Sequence, residues 1–334
     1  MSLSAIKWGV LGAAEIAREF TIPAIRDTEG SVPYALASRR GVPHELIRQF
    51  GFATGYDNYD ALLTDPQVDV VYLPLPNALH AQWAVKAAQA GKHVLCEKPA
   101  ALNAAQTVDI VNACQQAGVL FMEAMMYQFH AQHARTRELI DAGAIGEVRG
   151  MQVKLTFNLT KSQSDFRHNT LAQGGGSLYD LGCYCIHAIR SLLGVPDRVA
   201  TMPRFAGLNS AEMAATTVFG YDSGLRAGFD CGMDASLRHD YEVYGTQGAL
   251  RVHKAFAPQP DGAGCIEQVA DNGVVTATEP VTSFQYPNGV AHFADCARHN
   301  RTPDYAPADV LANMRVLDAC IESATSGRIV ELEK

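Results

Sequence analysis

The chain has no CxxC pair: its eight cysteines stand singly at 96, 114, 183, 185, 231, 265, 296 and 320. That spacing suggests neither a metal cage nor a dithiol redox motif. The thiols read as reduced, mostly buried small residues of a cytoplasmic protein. Also missing is an apolar run long enough to span a bilayer, so no membrane partner is expected. The net charge is −8 and there is no long basic run, which argues against nucleic acid, whose phosphates require a concentrated basic face. The start, from Met1 to Lys7, has no signal-peptide core. No internal repeat and no low-complexity linker interrupts the chain. What is present is 334 residues, 48% hydrophobic and 19% charged, which is enough for two globular domains.

Up to about residue 125 short apolar runs alternate with helical patterns. Strands are expected at 6–11, 34–37, 68–73, 93–96 and 119–124. Helices are expected at 14–26, with Pro23 as a kink or end, and at 43–50, 80–90 and 103–117. This is the βαβα rhythm of a doubly wound parallel sheet. A helix at 132–142 follows. Strand-like segments then come at 148–159, 215–221, 224–231, 241–244, 250–253 and 273–278, separated by turns such as Asp222-Ser223-Gly224. A long helix spans 306–325. The expected fold is α/β: an N-terminal Rossmann domain (1–125) and a C-terminal α+β domain (126–334) with a large, open, mostly antiparallel sheet for substrate binding and oligomerisation.

The first strand runs into Gly12-Ala13-Ala14-Glu15-Ile16-Ala17, a small-residue variant of the GxGxxG/A turn that brings backbone N–H groups to a dinucleotide pyrophosphate. Alanine replaces the second glycine. After the second strand an NAD site tends to carry an acid for the ribose 2′-hydroxyl. Here Ser38-Arg39-Arg40 stands instead, a set suited to a 2′-phosphate. NADP is therefore expected over NAD.

Further along stand Pro76-Asn77-x-x-His80, Gly91-Lys92-His93-Val94-Leu95-Cys96-Glu97-Lys98-Pro99, Gly174-Gly175-Gly176-Ser177-Leu178-Tyr179-Asp180-Leu181-Gly182-Cys183-Tyr184 and Tyr244-Gly245-Thr246-x-Gly248. In these the chain resembles the glucose–fructose oxidoreductase / inositol dehydrogenase / rhizopine-catabolism (Gfo/Idh/MocA) family over nearly its whole length. The Tyr184 pattern resembles the tyrosine-bearing branch that includes xylose dehydrogenase and dihydrodiol dehydrogenase; the inositol dehydrogenase branch carries histidine there. The resemblance implies a Rossmann domain, an open antiparallel sheet domain and an active site in the cleft between them. It makes Lys98 the active-site lysine, with Pro99 as a candidate cis residue, and implies a homodimer or higher homo-oligomer. Pro74, Asn77, His80, Glu97 and Lys98 itself join Gly12 to Ile16 and Ser38 to Arg40 as cofactor-binding candidates. At Gln128 and Ala131 the chain departs from the family's Met-Tyr-Arg-Phe-His-Pro run.

Asp180, Tyr184 and His187 recur at i, i+4 and i+7, on one helical face. Oxidising an alcohol needs a base for the hydroxyl proton while hydride leaves carbon. A phenol with an ordinary pKa of about 10 serves only if a neighbouring cation favours the phenolate. Tyr184 is thus read as the acid/base and Lys98 as its activator. Asp180 holds a substrate hydroxyl or orients Lys98. His187 is a substrate-binding residue and the rival base. Arg167, before the glycine run, is a candidate for substrate or cofactor phosphate. The expected reaction is hydride transfer between NADP and a sugar, cyclic polyol or dihydrodiol. The alternatives are a non-catalytic NADP-binding sensor and sugar–sugar hydride transfer on tightly held NADP.

Overall fold

The computed structural model describes residues 5–39, 41–42, 44–159, 170–205, 210–257 and 259–332. The chain forms two compact units. The first runs through Met126 and takes in Tyr286–Leu311; the second comprises Tyr127–Gln285 and the chain from Ala312 onward. The expected division at 125–126 makes no provision for the returning segment. Its helix, Gln285–His299, was not read from sequence because Pro287 and Gly289 in the first turn mask the apolar period. The helix packs on the first unit by setting Phe293 against Trp8, with ring centroids 6.1 Å apart.

The first unit carries a six-stranded, wholly parallel sheet: β1 (Ile6–Leu11), β2 (Ser31–Ala37), β3 (Thr54–Tyr56), β4 (Val70–Leu73), β5 (His93–Cys96) and β6 (Phe121–Glu123). The spatial order is β3-β2-β1-β4-β5-β6. Every residue of β4 is buried, as a sheet covered on both faces requires. The order reverses between β1 and β4, and the carboxyl ends of these strands form the edge where such sheets bind ligands. The helix after β1 opens through a wider π-type turn at Ala17–Thr21 and continues as Ile22–Asp27. Pro23 sits in its first turn, and the helix continues past it to Asp27. Both β3 and the short helix Tyr59–Leu63, capped by the Asn58 side chain, were missed as too short to show a period.

The second unit carries a nine-stranded sheet: β7 (Val148–Asn158), β8 (Arg198–Phe205), β9 (Glu212–Gly220), β10 (Arg226–Gly232), β11 (Asp234–Gly245), β12 (Gly248–His253), β13 (Ala263–Ala270), β14 (Val275–Thr282) and β15 (Val330–Glu331). The order is β14-β13-β12-β11-β7-β10-β9-β8-β15. All pairs are antiparallel except β7 with β10. The inner face holds Met151, Val153, Phe219, Phe229 and Val243, all nearly or fully buried. The helix Cys183–Leu193 packs on β7 and β10. All eight cysteines are free thiols, and all but Cys265 are buried. Among the described residues no helix is long and apolar enough to cross a membrane.

Candidate active site

In the first unit the candidates gather at the carboxyl edge of the parallel sheet. Gly12 follows β1 with φ at 102°, a conformation L side chains rarely adopt. A Cβ there would lie 3.4 Å from Leu75, 3.6 Å from the Tyr59 hydroxyl and 3.7 Å from the Pro74 carbonyl, so a bare backbone hollow faces the end of β4. Ala14 and Glu15 beyond it are exposed at the helix start. Ser38 and Arg39 follow β2, and the Arg39 guanidinium sits 5.5 Å above the ring of Tyr59, beside the same hollow. Arg40 lies outside the described residues. Small residues, a helix start and an exposed arginine around one hollow fit a dinucleotide bearing an extra phosphate.

Lys98 follows β5. From Val94 to Ala101 it is the one residue not buried, and the Lys98–Pro99 peptide is cis. Buried side chains hold the backbone on either side of it. Glu97 lies 3.4 Å from the Lys98 N–H through Oε2 and accepts the Tyr72 hydroxyl at 2.5 Å through Oε1; Tyr72 in turn accepts from Thr21. His80 sets Nδ1 2.7 Å from the Pro99 carbonyl and Nε2 2.7 Å from the Leu75 carbonyl. Glu123 accepts the Ala100 N–H at 2.6 Å and the Tyr305 hydroxyl at 2.9 Å. Burial pushes Glu123 up to about 7, against the opposing pull of Tyr305, Ala100 and the Lys98 charge. Burial also lowers the His80 pKa despite its two carbonyl partners.

Two of the cofactor candidates, His80 and Glu97, belong to this buried set. His80 is wholly buried with both ring nitrogens against backbone carbonyls, and Glu97 is buried with its carboxylate turned to Tyr72 and its own chain. They hold the segment that carries Lys98. Asn77 is likewise buried, beside Pro74 at the end of β4. Glu123 and Tyr305 were not anticipated: a glutamate inside an apolar strand was the available signal, and Tyr305 lies far away in sequence.

In the second unit, Gly174 to Gly176 lead into a π-type turn, Leu178–Gly182, continued by the helix Cys183–Leu193. Such wide turns concentrate at functional sites. Asp180 lies within the wide turn, and Tyr184 and His187 lie on the helix that continues it. From Gly174 to Ile189 every residue is buried except Tyr184, which is half-exposed. Its ring packs edgewise on Tyr127 (5.8 Å) and Phe256 (6.2 Å). His187 is buried, with Nδ1 2.6 Å from the Tyr127 hydroxyl. Burial, aided by Arg190 and His133, drives its pKa down to about 3, so the ring is neutral at working pH. Tyr127 also meets His133, whose Nδ1 lies 3.0 Å from the Tyr241 hydroxyl. Tyr184 and His187 thus share the neighbour Tyr127, a residue that sequence reasoning did not single out. Arg167 lies outside the described residues.

Comparison with known proteins places these motifs. Residues 6–125 match the family model described as "Oxidoreductase family, NAD-binding Rossmann fold", and residues 133–251 match "GFO/IDH/MocA C-terminal domain". A D-xylose 1-dehydrogenase (NADP(+)) from Haloferax volcanii is 37% identical over 98% of this chain and 99% of its own. Among solved structures, a 3-ketoreductase from Actinomadura kijaniata in complex with NADP and TDP-benzene is 29% identical, with TM-score 0.87, covering 96% of this chain and 98% of that one. An aldose-aldose oxidoreductase from Caulobacter crescentus is 27% identical, with TM-score 0.88, covering 98% and 100%.

Proposed function

The chain belongs to the Gfo/Idh/MocA oxidoreductase family, and on that premise we propose that it is an NADP-dependent dehydrogenase oxidising the C1 hydroxyl of an aldose such as D-xylose. The observation that carries the proposal is the half-exposed Tyr184 within a stretch, Gly174 to Ile189, that is otherwise buried. The 37% identity with the xylose dehydrogenase, spanning both chains, supports the substrate class. The Gly12 hollow, Ala13, Ala14, Ile16, Pro74 and Asn77 are read as the cofactor's pyrophosphate and ribose edge, and Ser38 with Arg39 as the 2′-phosphate contact.

Bound NADP⁺ supplies the hydride acceptor. Tyr184, as phenolate, takes the C1 hydroxyl proton while the C1 hydrogen leaves with its electron pair, and the sugar becomes a lactone. Lys98 contributes the positive charge that makes the phenolate available near neutral pH. Asp180 orients a substrate hydroxyl. His187, buried against Tyr127, keeps Tyr127 in place and so supports the Tyr184 ring from behind. The experiment is NADP⁺ reduction against a panel of aldoses and diols, followed in both directions. Turnover on aldoses supports the reading. Cofactor binding with no turnover on any member contradicts it in favour of a sensor.

The aldose-aldose oxidoreductase likeness supports a second reading, hydride transfer between sugars on retained NADP. Cofactor that co-purifies and resists dialysis is its signature. The outer face of the second unit's sheet exposes Met202 (72%) and Val218 (58%), which supports a homodimer through that face. Light scattering is expected to give at least twice the 36.0 kDa chain mass, and a monomer contradicts it. The protein is read as cytoplasmic from its free, buried thiols.

A further inference from the structure

The third glycine of the loop admits no side chain. A Cβ on Gly176 would stand 2.6 Å from both carboxylate oxygens of Glu212, and its φ of 107° disfavours a side chain independently. Glu212 is the first residue of β9 and is 1% exposed. Its Oε1 accepts the Leu178 N–H at 2.6 Å and lies 3.5 Å from the Ser177 hydroxyl. Leu178 is the residue that opens the π-type turn, and the Asp180 N–H donates back to the Gly176 carbonyl at 3.2 Å. On β10, Cys231 sets Sγ 3.7 Å from both oxygens of Ser177. A sealed carboxylate therefore binds loop, turn and sheet at one point. Burial of a carboxylate is costly, and an apolar residue would fill the same space without that penalty. What an apolar residue lacks is the acceptor for Leu178.

We propose that Glu212 is a positioning residue for the reaction. Its carboxylate fixes Gly176 to Leu178, and through them the placement of Asp180 and Tyr184 against the substrate. The inference rests on the reading of Tyr184 as proton carrier.

The test compares wild type, Glu212→Ala and Glu212→Gln in NADP⁺ reduction with D-xylose, with NADPH affinity followed by fluorescence. For Glu212→Ala the expected result is a fall in kcat of at least tenfold with NADPH affinity within twofold of wild type. Glu212→Gln keeps an oxygen for the Leu178 N–H and is expected to recover kcat to within threefold. A folded Glu212→Ala protein with kcat within twofold of wild type overturns the proposal, as does equal damage in both variants with weakened NADPH binding. If Glu212→Ala does not fold, Glu212→Asp, which withdraws the carboxylate by one methylene, is judged by the same thresholds. A second readout needs no substrate: the ultraviolet titration of Tyr184, taken as the difference between each protein and its Tyr184→Phe counterpart. It is expected to shift in Glu212→Ala, and an unchanged titration overturns the positioning claim. Wild type inactive on every aldose, with a shifted titration, sinks the functional reading alone.

Discussion

The Tyr127 hydroxyl lies 2.6 Å from Nδ1 of His187, and both residues are buried. A histidine so engaged, with its pKa driven down to about 3, is neutral throughout the working range and turned away from solvent. Tyr184, three residues earlier on the same helix and packed on the same Tyr127 ring, is the half-exposed group. The choice between phenol and imidazole as proton carrier, open in the sequence, therefore leans on burial.

His187→Asn is expected to lower kcat by loosening Tyr127 while leaving the pH of the acidic limb of kcat/KM unmoved. A pH–rate profile checks it. Loss of that limb in the variant would make His187 the titrating base.

Lys98→Met is expected to shift the apparent pKa of the catalytic base upward, since on the proposed reading Lys98 is the cation that favours the phenolate. NADPH affinity measured separately keeps a binding defect from imitating the shift. An unmoved pH profile with retained turnover removes Lys98 from the mechanism.

Much of this was legible in the sequence. The βαβα rhythm, the Gly12 turn, the strand before Lys98 and the glycine run before Asp180 all follow from local pattern, because each depends on residues close in the chain. The buried acids were not. Glu123 meets Tyr305 and Glu212 meets Leu178 across long sequence separations, and a glutamate within a strand pattern reads first as a surface position. The strands β8 and β13 escaped notice for another reason: Pro203 and Gly264 interrupt their alternation. For His80 and Glu97, spacing locates a residue near a ligand edge without telling which way its side chain turns.

Glu123 carries a pH prediction. Its folded pKa of about 7 stands above the ordinary carboxyl value, so the native state keeps a proton that the unfolded chain releases. The associated stability is fully present below about pH 4.5 and is lost as pH rises through 7, by on the order of 3 kcal/mol at most. Glu123→Gln removes that loss. Its melting temperature relative to wild type is expected to improve steadily from pH 5 to pH 8, and a difference independent of pH contradicts the account.

Arg39→Ala is expected to weaken NADPH binding by about tenfold to a hundredfold, the worth of a charge-assisted phosphate contact, and to leave NADH binding nearly unchanged. Fluorescence titration with both cofactors checks it. Equal losses for NADPH and NADH would show that Arg39 does not read the 2′-phosphate.

The central claim is that Tyr184 moves the proton in an NADP-linked oxidation of a sugar hydroxyl. The most direct measurement is NADPH formation from NADP⁺ and D-xylose by wild type and by Tyr184→Phe, with cofactor affinity confirmed in both. Wild type is expected to turn over, and kcat is expected to fall by about 10²–10⁴-fold in the variant. A Tyr184→Phe enzyme that binds NADP normally and turns over within a few-fold of wild type would contradict it.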